Sequence, residues 1–178
     1  GQSFVSPYTG DMTTITVRLK KSSGAIGGIR CTVFNTTVGQ TPSSTSIGHS
    51  DSISIAALAT TEEDVVFAFS TPIKLENGSA YACVFQTSSS MSGQIYFSVN
   101  PSPGSYTGGS VVESTNGGAS WSVLAEDFYF AVAGQSLSHI TLEDGEALYY
   151  KLDRTMLASN VTLVPFIAPV GSIPNDRE

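Results

Sequence analysis

Charge is scarce in this sequence: Asp, Glu, Lys and Arg together make up 13% of its 178 residues, about half the share of an ordinary globular chain. The shortage falls hardest on the basic side, with 8 Lys and Arg against 15 Asp and Glu and a formal net charge of −7. The basic residues are scattered, and only Lys20 and Lys21 adjoin. Nucleic acid and anionic membrane surfaces both demand a basic footprint, so neither is expected as a partner. No apolar run reaches the roughly 18 residues of a membrane span. The longest, residues 161–170, is interrupted by Pro165 and Pro169.

Cysteine is equally sparse. Cys31 and Cys83 are the only two, with no Cys-x-x-Cys spacing and too few ligands for a zinc site. Each lies in a strand-like run with large apolar neighbours two positions away, so alternation points both into the core. Two buried free thiols and a disulfide both remain open, since a disulfide needs Cα atoms within about 7 Å. Histidine occurs twice, as His49 and His139, each isolated from other metal-ligand types.

Catalytic signatures are missing as well. Ser and Thr are abundant, but there is no Gly-x-Ser-x-Gly elbow. The acidic groups at Glu62, Glu63 and Asp64, at Glu126 and Asp127, and at Glu143 and Asp144 are adjacent in sequence. Neighbouring strand residues point to opposite faces, so they do not form a carboxylate pair across a cleft. No catalytic residue, metal site or cofactor is assigned, with one reservation. Structural calcium in a loop would draw on Asp11, Asp51 or Asp127, because calcium takes carboxylates together with backbone carbonyls.

What the chain does have is alternation. In residues 12–20, Ile15, Val17 and Leu19 face one way and Thr14, Thr16, Arg18 and Lys20 the other, the pattern of a half-buried strand. Comparable runs occupy residues 2–6, 28–36, 48–55, 64–70, 79–87, 94–100, 110–114 and 126–133. Turn residues separate them at 7–10, 22–28, 39–44, 76–78 and 100–104. Residues 55–63 suffice for two helical turns at most and are read as a connection. Short strands at this spacing predict an all-β, two-sheet antiparallel sandwich of jelly-roll type over residues 1–134. The chain opens at Gly1 without a Met and is expected to be processed or part of something longer.

After residue 134 the texture changes. Residues 135–178 predict a small β-rich C-terminal appendage with a polar tail, including a hairpin around Asp144-Gly145. Two or three strands do not stand alone. Leu148, Tyr149, Tyr150, Leu163, Phe166 and Ile167 are therefore expected to dock or to make a homo-oligomer.

Several ordered features of residues 1–134 resemble a family of jelly-roll domains found in bacterial secreted and surface proteins and in phage virion proteins. They are QSFVSP at 2–7, TVRLKK at 16–21, FAFSTPIKL at 67–75 leading to GSAY at 78–81, Gly108-Gly109, STNGGASW at 114–121 and DFYF at 127–130. The resemblance implies a non-catalytic module on a virion surface or outside the cell: a capsid decoration or a tail or fibre component, with virion or surface proteins as partners. The alternative it implies is a carbohydrate-binding module, for which Trp121, Tyr106, Tyr96 and Tyr8 supply the candidate glycan platform, Tyr106 being the ring expected to be exposed. Residues 114–121 are also similar to the Asp-box of sialidase propellers, with Asn116 for Asp and Ser120 for Thr. Physically they read as a hairpin loop in which Asn116 and Gly117 take positive φ and Trp121 packs beneath the turn.

Overall fold

Alternation along the strands produces two faces, and the apolar faces meet. In β2 (Gly10–Lys21), Met12, Ile15, Val17 and Leu19 are buried, while Thr14, Thr16 and Arg18 face outward. In β6 (Glu63–Leu75), Val65, Phe67 and Phe69 are buried between exposed Asp64, Val66, Ala68 and Ser70. The computed structural model describes residues 1–37, 40–100 and 106–136. Two antiparallel sheets pack face to face, so the chain is an all-β, two-sheet sandwich.

The first sheet runs β11 (Ser122–Leu124), β10 (Val111–Glu113), β1 (Gln2–Val5), β7 (Ala80–Thr87), β3 (Gly28–Thr36) and β4 (Pro42–His49), with β5 (Ile53–Ser54) added to β3. The second runs β13 (Phe130–Ser136), β2 and β6, with β8 (Ile95–Phe97) also on β2. A short ladder joins β9 (Val99–Asn100) to β12 (Asp127–Phe128). Long strands alternate between sheets as the chain advances, β1, β2 and β3 and again β6 and β7, so neighbours within a sheet are remote in sequence.

One edge of β2 is shared. Leu19 pairs with Glu63 of β6 on one side and with Phe97 of β8 on the other. From Val17 back to Gly10 that second side belongs to β13. At the hand-over Ser98 N–H donates to Arg18 O at 2.9 Å, Arg18 N–H to Tyr129 O at 3.0 Å, and Tyr129 N–H to Ser98 O at 3.2 Å.

Between the sheets lies an aromatic run. Phe67 sits 5.1 Å from Phe85, Phe85 4.9 Å from Phe97, and Phe97 stacks on Phe128 at 4.8 Å. Such pairs add about 0.5–1.5 kcal/mol each beyond the area they bury. Cys31 and Cys83 lie in the same core as free thiols, which closes the disulfide alternative in favour of buried thiols.

Two segments differ from the expected pattern. Residues 39–44 were read as a turn and 48–55 as a strand, yet Pro42–His49 forms β4 and only Ile53–Ser54 pairs beyond it. β4 is the outermost strand of its sheet and Pro42 its first residue, where a missing N–H costs no ladder bond. β6 runs five residues past Ser70, through Pro72. Register is interrupted there, Met12 pairing with Ile73 and Thr14 with Ala68, so Pro72 sits in a bulge. Residues 55–63 hold a single 3-10 turn, Ile55–Ala57, within a connection.

Candidate functional site

Gln2 faces inward on β1 and is fully buried, so its carboxamide must be satisfied internally. Its Nε2 donates to Ser3 O at 2.9 Å and to Asp127 Oδ1 at 3.2 Å, and its Oε1 accepts the Phe128 N–H at 2.8 Å. Asp127, 3% exposed, accepts the Tyr106 N–H on Oδ2 at 2.9 Å. Tyr106 in turn accepts the Val5 N–H on its hydroxyl at 3.0 Å, and its ring stands edge-on to Phe130 at 5.3 Å. This network ties β1, the Tyr106 loop and β12 together around a cavity of about 390 Å³. Its walls carry Phe4, Tyr106, Phe128, Tyr129 and Phe130, and among the described residues Asp127 is the one charged residue lining it.

The four expected platform rings do not converge. Tyr106 lines this cavity; Trp121, Tyr96 and Tyr8 do not. The loop position of Tyr106 was expected to expose it, but its hydroxyl and ring are both engaged, leaving it half-buried. Tyr8 is also half-buried and packs on the core. Burial, with the Asp11 charge second, raises its phenol pKa above the ordinary value. Tyr96 is 46% exposed on the outer face of β8, its hydroxyl bonded to Gln94 Oε1.

Residues 114–121 form the expected loop. Asn116 Oδ1 accepts the Ser120 N–H at 3.0 Å and the Ser114 hydroxyl at 2.9 Å, and Ser114 Oγ accepts the Gly118 N–H at 2.8 Å. Positive φ falls on Gly117 and Gly118 rather than on Asn116. Trp121 is half-exposed, and a side chain added at Gly118 would meet its ring at 3.5 Å.

Sequence reasoning missed Tyr129. It is 47% exposed and carries the Arg18 guanidinium over its ring at 5.8 Å. Arg18 also grips Asp64 with two bonds, Nε to Oδ1 at 2.8 Å and Nη2 to Oδ2 at 3.1 Å. That bond holds the Asp64 carboxyl below its ordinary pKa. Only the aromatic character of DFYF at 127–130 was legible; which face each ring takes depends on register with β2.

The three calcium candidates are engaged separately. Lys74 Nζ approaches Asp11 Oδ1 at 2.6 Å, the Ser70 hydroxyl donates to Asp51, and Asp127 belongs to the Gln2 network. Among the described residues no three His, Cys, Asp or Glu side chains group as metal ligands, and no helix is long and apolar enough to cross a membrane. Leu148, Tyr149, Tyr150, Leu163, Phe166 and Ile167, with the rest of the expected appendage beyond residue 136, lie outside the described residues.

Among the described strands β13 is the outermost of the second sheet. Its sequence, FAVAGQS, holds neither charge nor proline, although its register on β2 is interrupted between Ala133 and Gly134, whereas β6 at the opposite edge carries Glu63, Asp64, Lys74 and a proline bulge. Charge, proline and bulges are the usual guards against strand addition.

Compared with protein-family models, with curated proteins and with solved structures, the chain matches none.

Proposed function

We propose that the chain is a non-catalytic structural and interaction module of a virion surface, a capsid decoration or a tail or fibre component, that displays its sandwich outward. The observation that supports this reading best is β13, among the described strands the outermost of the second sheet, with seven residues and neither charge nor proline. Such an edge is satisfied by adding a strand from a neighbouring protein or a second copy. The weakly charged, hydroxyl-rich sequence agrees with a role outside the cytoplasm. Size-exclusion chromatography with light scattering on the whole chain tests the association. The wild type is expected to self-associate or to bind isolated particles, and Ala131→Lys with Ala133→Lys to lose that association while staying folded. A wild type that stays monomeric and is absent from particles by mass spectrometry would end the reading.

A second reading, a carbohydrate-binding module of a secreted or surface protein, is favoured by one pair of rings. Tyr96 pairs with Lys20, and Tyr129 O accepts from Arg18 N–H. The two exposed rings thus stand beside β2 on its outer face about 7 Å apart along the strand. A glycan array checks it: binding that disappears in Tyr96→Ala and Tyr129→Ala supports the module, and an empty array removes it.

A further inference from the structure

The cavity beside β1, β12 and β13 joins two features that need explaining together. One is a carboxylate, Asp127, that is 97% buried by its 3% exposure and yet meets no cationic side chain among the described residues. Its two bonds, from Gln2 Nε2 and from the Tyr106 N–H, are both to neutral donors. A carboxylate offers about four acceptor positions, more than these two bonds from described residues occupy. The other feature is the wall. Phe4, Tyr106, Phe128 and Phe130 line the same space as Asp127, and their planes differ, Tyr106 lying at 84° to Phe130 and Phe4 at 54°. Rings set at steep angles present both faces and edges to a common space, and ring faces attract cations. A buried negative group is stabilised by a countercharge.

We propose that this cavity binds an organic ammonium group, with the Asp127 carboxylate as its counterion and the aromatic rings as its cage. Charge complementarity selects this occupant over a neutral one: among the described residues Asp127 is the only charged one that lines the cavity, and the chain's net charge of −7 draws cations toward it. The cavity volume of about 390 Å³ falls within the size range of small-molecule sites. The inference shares no ring with the outer-face pair Tyr96 and Tyr129 and does not depend on strand addition at the edge of β13.

The test is saturation-transfer NMR and calorimetry on the whole chain with choline chloride, its uncharged isostere 3,3-dimethylbutan-1-ol, and a methyl glycoside. Choline is expected to bind saturably, at least about tenfold more tightly than the isostere, and to shift the Tyr106 and Phe130 ring resonances. Asp127→Asn is expected to remove that preference. Because this substitution also sets an amide N–H₂ against a donor, Phe130→Leu provides a second variant, outside the Gln2 network, that removes a cage ring and is expected to weaken choline alone. Equal binding of the isostere, preferential binding of the glycoside, or no saturable choline binding overturns the proposal.

Discussion

Cys31 and Cys83 lie diagonally across β3 and β7: Val33 pairs directly with Cys83, and Cys31 stands two residues along on the same face. Both side chains are fully buried. Burial first, and the neighbouring Cys83 thiol second, push the Cys31 thiol well above its ordinary value of 9.0. The folded chain therefore holds a proton that the unfolded chain gives up. This contribution is fully present below about pH 9 and is lost as pH rises beyond it. Thermal melts from neutral to alkaline pH are expected to show a falling midpoint, and Cys31→Ala to flatten that slope. Neither thiol should react with Ellman's reagent until the protein is denatured.

Gly109 has no room for a side chain. A Cβ there would overlap the Ser3 carbonyl oxygen and crowd Phe4 N at 3.0 Å, which is backbone that cannot swing aside. Gly109→Ala is expected to cost about 3 kcal/mol by forcing β1 away from β10. Chemical denaturation measures it, and a loss below about 0.5 kcal/mol, within the range of neutral surface changes, would contradict the tight approach.

The Arg18 and Asp64 side chains are exposed, so their pairing is a local rather than a stabilising matter. The Asp64 carboxyl is held below its ordinary 3.8, first by the hydrogen bond from Arg18. A depressed carboxyl favours folding above its unfolded pKa, and that preference fades as pH falls through the folded value. A carboxyl-detected NMR titration should place Asp64 below 3.8 and return it toward that value in Arg18→Gln, with scarcely any change in melting temperature.

Asn116 organises its loop through bonds to Ser114 and Ser120. Asn116→Ala is expected to lower stability by about 1 kcal/mol, the net worth of such exposed bonds. Trp121, half-buried at the end of this loop, should shift its fluorescence to the red as the loop loosens, while Asn116→Asp, which keeps the acceptor oxygen, should retain most of both.

Alternation made most of the sandwich readable. The spans predicted for β1, β3 and β7 match to within a residue, because each buries one face and exposes the other. β4 escaped for the reason that makes it an edge: PSSTSIGH carries little apolar alternation and a proline that suggests a turn. The candidate cavity was hardly legible. Gln2 and Asp127 are 125 residues apart, and nothing local marks a buried glutamine as the clamp for a distant carboxylate. Tyr106 was singled out as a ring, but its engagement with Val5 and Phe130 follows from the way β1 and β13 come together, which no short-range pattern records.

The ladder between β9 and β12 gives the chain a doorway. Asn100 pairs with Asp127 and Val99 with Phe128, so everything between leaves and re-enters at one place, and β2 passes from β8 to β13 with no gap along its edge. Lengthening such an excursion costs only about 0.6 kcal/mol per doubling. The tip between β10 and β11, residues 114–121, is thus a natural port for grafting: foreign peptide inserted there would extend the far wing of the first sheet and leave the pairing of β2 untouched.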